Sequence, residues 1–375
     1  MLAQGAGGYS VYPSETTSTT VSSRSSSSIA VVGGGVIGAS IAWRLARNGH
    51  TVSLYEPTPL ENTTTWVAGG MVAPLSEAWP GEEALFDLGM ASLQRWPRFV
   101  DDLGALGRDI ITARGAITVG ADDADIANVH RVHQWLAERG AQAPMLTRRE
   151  LRDREPALSR SLRPGFFADQ ELAVDNRVLL RALRQACELT GVTTITEQVT
   201  DLRSLPEPKR IVATGPWTPR LLPSIRIRPV KGEVLRVRRR STSVEPPQYI
   251  IRGWVRGRQV YLVPRPDGLV VGATQYEAGH DTAVTVGGLR DLIADAEVVF
   301  PGIVEYEVTD YVAGLRPMTP DGVPLVGAVS DDTIVAAGHG RSGILLAPLT
   351  ADAVCAEIEG LPMPNIASAH PRRFT

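Results

Sequence analysis

Residues 29–56 read IAVVGGGVIGASIAWRLARNGHTVSLYE. The run Ile29–Val32 is short, apolar and rich in β-branched residues, the pattern of a strand buried on both faces. Gly33-x-Gly35-x-x-Gly38 then turns the chain into a helix whose apolar face is Ala39, Ile41, Ala42, Leu45 and Ala46. Asn48-Gly49 ends that helix. A second apolar run, Thr51 to Tyr55, stops at Glu56. Strand, glycine turn, helix, strand and acid is the order in which a dinucleotide is held. The first glycine makes the tight turn, the second lets a pyrophosphate approach the backbone, and the third packs helix against strand. The helix N-terminus offers free N–H groups and partial positive charge to the phosphates. Glu56 can accept hydrogen bonds from ribose hydroxyls and disfavours a 2′-phosphate, which argues against NADP.

The 375 residues suffice for two domains. Hydrophobic residues at 43% and charged residues at 21% suit an ordinary globular chain, and a formal charge of -3 argues against nucleic acid or anionic membrane as a partner. Cys187 and Cys355 sit in helical patterns and look like small buried apolar residues. They build neither a metal motif nor a disulfide framework, and the six histidines show no ligand spacing, so no metal site is expected and a reducing cytoplasm fits. No stretch is long and apolar enough to cross a membrane.

Residues 1–28 are Ser/Thr/Gly-rich and read as a disordered tail. Past Glu56, the segment Thr63–Pro74, TTTWVAGGMVAP, concentrates small residues where backbone must approach something closely, either a tight crossover or a flavin ring. Helices are expected over 85–103, 124–139 and 175–190, with a short one after the N-cap Thr147; Asp175 caps the third. Strands are expected over 115–120, 165–168, 195–200 and 210–213. Strand periodicity over 227–238, 249–251, 260–264 and 269–273 points to an antiparallel sheet in a second domain. A helix over 285–299 and a strand over 304–315 follow. Residues 333–337, then Gly338-His339-Gly340-Arg341-Ser342-Gly343 and a helix to Ile358, return the chain to the first sheet by a second strand–glycine–helix unit.

The motifs VVGGGVIG from Val31, TTTWVAGGMVAP, RPVKGE from Arg228, YLVPR from Tyr261, GLRPMTPDGVPLVG from Gly314 and GHGRSGILLAP from Gly338 stand in one order along the chain. In this the chain resembles the D-amino-acid oxidase superfamily, and within it the glycine oxidases of bacterial thiamine biosynthesis. The resemblance spans roughly Ile29 to Ile358. It implies a doubly wound α/β, Rossmann-like FAD-binding domain interwoven with a sheet-based α+β substrate domain. The FAD domain would take residues 29–85, 165–225 and 310–362, and the substrate domain 86–164 and 226–309, leaving 363–375 as a tail.

By the same resemblance, Gly33, Gly35, Val36, Ile37, Gly38 and Glu56 would hold the ADP half of FAD, and Val199 would contact adenine. Thr64, Thr65, Gly69, Gly70 and Met71 would line the ribityl chain and ring. Gly338, His339, Gly340, Arg341, Ser342, Gly343 and Ile344 would place backbone N–H groups at the ring's O2 and N1 end. Arg316 would bind the substrate carboxylate with Tyr261 assisting, Arg341 would stand beside them, and Gln275 would replace a methionine found in a well-studied glycine oxidase type. Gly340 and Ser342 replace a bulkier aromatic and an asparagine of that type. The resemblance implies hydride transfer from the substrate's α-carbon, O2 reduced to H2O2, a homotetramer, and thiazole synthase as the recipient of the glycine imine. Neither cysteine falls in a flavin-facing motif, so FAD is expected to be non-covalent.

Weighed on residue type alone, Lys231 and Glu233 only pair with neighbours, Arg238-Arg239-Arg240 is a solvated strand end, and His339 contributes backbone contact. Three alternatives stay open: sarcosine or a small D-amino acid as substrate, a dehydrogenase passing electrons to a quinone, and a non-catalytic FAD-binding protein.

Overall fold

The computed structural model describes residues 26–362 and 366–374. The chain opens with β1 (Ser28–Val32), α1 (Val36–Arg47) and β2 (Thr51–Tyr55), then α2 (Thr64–Val67) and β3 (Met71–Val72). Two helices follow, α3 (Glu83–Leu93) and α4 (Trp96–Asp101), where the sequence suggested one. Pro97 stands in the first turn of α4, where its missing N–H costs nothing but where it ends the preceding helix. β4 (Ile111–Gly120), α5 (Asp123–Glu138), α6 (Arg148–Arg154), β5 (Arg163–Val174) and α7 (Asn176–Leu189) come next. Thr147 and Glu150 close the capping box of α6, and Asp175 caps α7 through the N–H groups of Arg177 and Val178.

β6 (Thr193–Ile195) is shorter than the expected strand over 195–200; the chain leaves the sheet once Glu56 N–H has bonded Ile195 O. β7 (Lys209–Val212), α8 (Thr218–Leu221), β8 (Arg228–Arg238), β9 (Ile250–Val255), β10 (Arg258–Arg265), β11 (Gly268–Gly272) and α9 (Val286–Val299) lead to β12 (Glu307–Met318). β13 (Leu325–Ala328), β14 (Thr333–Ala337) and α10 (Gly343–Glu359) follow, and two short 3-10 turns, Ala367–Ala369 and Pro371–Phe374, come after them.

Two sheets organise these elements. The first has order β13-β14-β7-β1-β2-β6 and is parallel except for β13. Helices α1, α7 and α10 pack together against it. Ile29, Val31, Ile41, Leu45, Leu54, Leu183 and Leu346 are fully or almost fully buried in one core that also takes Phe86, Trp96 and Phe99 from α3 and α4. The second sheet has order β12-β8-β11-β10-β9-β4-β5-β3 and is antiparallel but for the β4–β9 pair. Its outer face is covered by α9, with Leu292, Ala296 and Val299 on Leu235, Ile251 and Leu262.

Sheet membership divides the chain differently from the expected boundaries. Residues 165–174 run in β5 and residues 310–318 in β12, both in the second sheet, and β3 pairs β5 at that sheet's edge. These strands carry the alternation or apolar runs of either sheet, and only pairing decides which. α3 and α4 join the core of the first sheet, although they begin the block expected to cover the substrate. Of the tail expected over 1–28, residues 1–25 lie outside the described residues, and the last three are ordered: Ser26 Oγ donates to Gly49 O, Ser27 N–H to His50 Nδ1, and Ser28 starts β1. The C-terminal tail is docked as well. Ile366 and Ala369 are buried, and Arg373 binds Asp321 and the carbonyls of Val323 and Pro324.

Candidate functional site

The glycine turn has the geometry its spacing implies. Gly33 sits at φ +99°, and a side chain there would strike Ala213 O at 2.5 Å. Gly38 meets the carbonyl of Gly33 so closely that a Cβ would lie 1.8 Å from it. Gly35 is the N-cap of α1 with no side-chain cap of its own; instead Thr65 Oγ1 accepts the N–H of Val36 at 3.0 Å. Glu56 reaches back from the end of β2, accepting Gly34 N–H at 2.6 Å and Thr58 N–H at 2.8 Å, with Arg184 at 3.8 Å behind it. The acid therefore braces the turn that it faces.

Residues 63–70 are held by a buried bracket that composition alone does not reveal. Asn176, the first residue of α7, donates through Nδ2 to Thr65 O at 2.6 Å and Trp66 O at 2.9 Å. Its Oδ1 accepts from Arg236 at 3.0 Å and Arg265 at 3.2 Å. Arg265 also donates to Gly69 O at 2.9 Å, and Arg236 to Ala68 O at 3.3 Å. Burial, and then repulsion from Arg177, lower both guanidiniums, Arg236 to about 9 and Arg265 to about 10; Asp175 partly offsets this. Carbonyls of the segment are thus held by the Asn176 amide and two guanidiniums, while Thr64, Thr65, Gly69 and Gly70 line the cavity.

That cavity, of about 560 Å³, runs between the two sheets from Glu56 and Val199 to Arg316 and Arg252. Its size is that of a cofactor or ligand pocket. At its far end Tyr261 on β10 packs where Cβ atoms on Gly69 and Gly272 would strike its ring or hydroxyl at 2.8 and 2.2 Å. Burial raises the phenol, and the nearby Arg316 pulls it back down. Arg316 on β12 lies over Gly232, where a Cβ would meet the guanidinium at 2.4 Å. Its one hydrogen bond among the described residues is to Thr274 O at 3.1 Å. Burial lowers its pKa, though a guanidinium stays charged at any ordinary pH. Thr64 Oγ1 donates to Leu315 O at 3.1 Å, so the small-residue segment and the strand carrying Arg316 are held in register.

The C-terminal glycine motif closes the wall. Gly343 and Ile344, at the uncapped N-terminus of α10, line the cavity together with His339 and Gly340. His339 is buried, its Nε2 lies 3.0 Å from Thr350 Oγ1, and burial drives its pKa down to about 3, so the ring is neutral. Arg341 lines the cavity too, but it is engaged by Glu82 through two hydrogen bonds and by the carbonyl of Glu77.

The structure brings Gly33, Gly35, Val36, Ile37, Glu56, Thr64, Thr65, Gly69, Gly70, Met71, Val199, Tyr261, Gln275, Arg316, His339, Gly340, Arg341, Gly343 and Ile344 to one cavity. It leaves three expected residues off the wall. Gly38 serves packing, Gly338 turns the chain at φ +77° beside Thr319, and Ser342 is buried ahead of α10. Lys231 and Glu233 do pair locally, with Asp281 and with Thr285 and Tyr311. Arg238 and Arg239 pair with Glu307 and Glu245. Sequence reasoning missed Glu77, Arg252 and Gln259 at the Tyr261 end, Trp217 and Arg220 after β7, and the Asn176 bracket. The Arg252 position carried one legible signal, since it stands on a strand neighbouring that of Tyr261; the others depend on long-range packing. No group of His, Cys, Asp or Glu able to hold a metal occurs among the described residues, and no helix there is long and apolar enough to cross a membrane.

The family described as FAD dependent oxidoreductase matches residues 28–357. Glycine oxidase from Bacillus licheniformis is 31% identical over 358 residues, covering 89% of this chain and 93% of that protein. The bifunctional protein ThiO/ThiG of Synechocystis is 31% identical over 343 residues, which cover 86% of this chain and 50% of that protein, so the chain spans about half the length of that relative. The crystal structure of glycine oxidase from Geobacillus kaustophilus superimposes with a TM-score of 0.83 at 28% identity, over 92% of this chain and 98% of that one. The fold, the glycine turn with its acid and a match over nearly the whole described chain agree: this chain belongs to the FAD-dependent oxidoreductase family of D-amino-acid oxidase type and is glycine oxidase-like within it.

Proposed function

We propose that this chain is an oxidase of glycine and other small amines or amino acids, using non-covalent FAD and O2. The observation that carries the reading is Arg316, a half-buried guanidinium at the end of a cofactor-sized cavity whose one hydrogen bond among the described residues goes to a neutral carbonyl. A partly desolvated cation without a counter-ion is costly, and a bidentate carboxylate is the ligand that matches its fork.

The walls fit FAD. Gly33 and Gly35 line the cavity at the N-terminus of α1, which has no side-chain cap and suits a pyrophosphate; Glu56 lines it where a ribose would sit, and Gly69 and Gly70 line it where a flat ring would meet backbone. FAD held by these walls would supply a hydride acceptor for the substrate's α-carbon and a route for the electrons to O2. The chain's own part is positional. Arg316 orients the carboxylate and Tyr261 flanks it, while the Asn176 bracket keeps residues 65–70 at the cavity wall. The N-terminus of α10 presents N–H groups and partial positive charge where negative charge develops. Neutral His339 cannot serve as a general acid near neutral pH. Orientation of this kind supplies much of the catalysis in such a site.

The curated relatives support glycine as a substrate, and the ThiO/ThiG relative supports delivery of glycine imine to thiazole synthase in thiamine biosynthesis. The test is anaerobic addition of glycine, sarcosine and D-alanine to the yellow protein. Loss of the flavin's visible absorption, followed by hydrogen peroxide on admitting air, is expected. Bleaching without peroxide would assign a dehydrogenase with another acceptor; no bleaching by any amine would remove the reading.

A further inference from the structure

The charged groups at the Tyr261 end of the cavity can be counted by partner. Arg341 is matched by Glu82. Arg252, opposite Tyr261 on the neighbouring strand, lies 3.4 Å from Glu77 and donates to Gln259 Oε1 at 2.9 Å. The Arg252 and Glu77 side chains are only 11% and 13% exposed, and both line the cavity. Both also act electrostatically on Arg316, which forms no ion pair of its own among the described residues. One guanidinium is therefore left for the ligand, and one is already filled by a carboxylate that belongs to the chain.

We propose that Glu77 is a built-in second carboxylate: it occupies Arg252, which would otherwise form a two-carboxylate site with Arg316, and so restricts the cavity to amino acids bearing one carboxylate. The inference rests on the amino acid oxidase reading above and adds its substrate class. A monocarboxylate leaves each of the three guanidiniums at this end of the cavity, Arg316, Arg252 and Arg341, matched. A dicarboxylate brings a second anion against Glu77, and its desolvated charge finds no free cation. Discrimination here comes from repulsion as much as from attraction. Glu77 is itself set by neighbouring structure: the turn before it is held by Glu171, which accepts the N–H groups of Leu75 and Ser76 at 2.6 and 2.8 Å.

The test compares sarcosine with iminodiacetate, which share a secondary amine and differ by one carboxylate, using FAD-loaded wild type, Glu77→Gln, and Glu77→Gln combined with Arg252→Leu. Wild type should prefer sarcosine by roughly 100-fold or more in kcat/KM, the scale of an unmatched buried charge. Glu77→Gln should narrow the ratio by about tenfold or more, mainly through a lower KM for iminodiacetate, and the added Arg252→Leu should restore it. Calorimetric binding of malonate against acetate, which needs no turnover, should show the same order. Equal use of both substrates by wild type, or an unchanged ratio and unchanged malonate binding in folded, flavin-loaded Glu77→Gln, would overturn the proposal. If no amine is oxidised at all while malonate binding still follows the variants, the reaction reading fails and the carboxylate gate stands.

Discussion

Arg236 donates to Oδ1 of Asn176 at 3.0 Å, and both side chains are buried. β8 supplies one and α7 the other, so this bond, with the one from Arg265 of β10 to the same oxygen, ties the second sheet to a helix of the first at the back of residues 65–70. Asn176→Ala would strip two donors from Thr65 O and Trp66 O and leave the Arg236 and Arg265 guanidiniums without their shared acceptor. Truncating one partner of a buried, charge-assisted contact costs about 2–5 kcal/mol. Urea unfolding should register that loss, and the FAD dissociation constant should rise with it. Stability and flavin affinity equal to wild type would show that the bracket is dispensable.

Arg316→Ala should lower kcat/KM for glycine by roughly 30- to several-thousand-fold, the equivalent of about 2–5 kcal/mol, with flavin binding nearly unchanged. Arg316→Lys should recover part of the loss, since an ammonium cannot form two parallel hydrogen bonds. Gly232→Ala offers an independent route to the same effect: the added methyl would lie 2.4 Å from the guanidinium and displace it. Steady-state kinetics beside FAD titration separates substrate from cofactor effects. Joint loss of FAD and turnover in Arg316→Ala would make the residue structural.

Burial pushes the Glu171 carboxyl up to about 7, against the opposing donors Ser76 and Leu75. Glu155, under the amides of Tyr249 and Gln248, is likewise pushed up to about 7. A raised carboxyl pKa stabilises the fold fully below the unfolded value of 4.5 and loses that contribution as pH rises through about 7. Across that window one such group is worth about 3 kcal/mol. Wild type should therefore lose stability relative to Glu171→Gln between pH 5 and pH 8, followed by urea unfolding at each pH. A pH-independent difference would place the titration of Glu171 outside this range.

Cys187 and Cys355 are buried, and burial raises both thiols to about 12. Neither lines the cavity. Native protein should resist alkylation by iodoacetamide at pH 8 and react only once unfolded. Acid precipitation should release yellow flavin to the supernatant. A yellow pellet would reveal a covalent bond and overturn the non-covalent assignment.

Much of the nucleotide half was legible from residues 29–56 because its rules are local. Positive φ at Gly33, the helix start at Val36 and the acid at the end of β2 each follow from a few neighbouring residues. Asp175 and Thr147 were readable as caps for the same reason. Arg316 and Tyr261 were reached through a resemblance in motif order, since an Arg before Pro or a Tyr in a strand says little by itself. What only the tertiary structure decided are contacts between distant segments. Sheet membership of residues 165–174 and 310–318 depends on pairing, because strands of either sheet share the same apolar pattern. The Asn176 bracket joins residues from α7, β8 and β10 to the 65–70 segment. The Glu77–Arg252 pair spans 175 positions, obtained as 252 minus 77, and exists only because two chain segments close over one cavity. A motif records what neighbours along the chain require; the ionic balance of a buried site is set by which distant charges the fold places side by side.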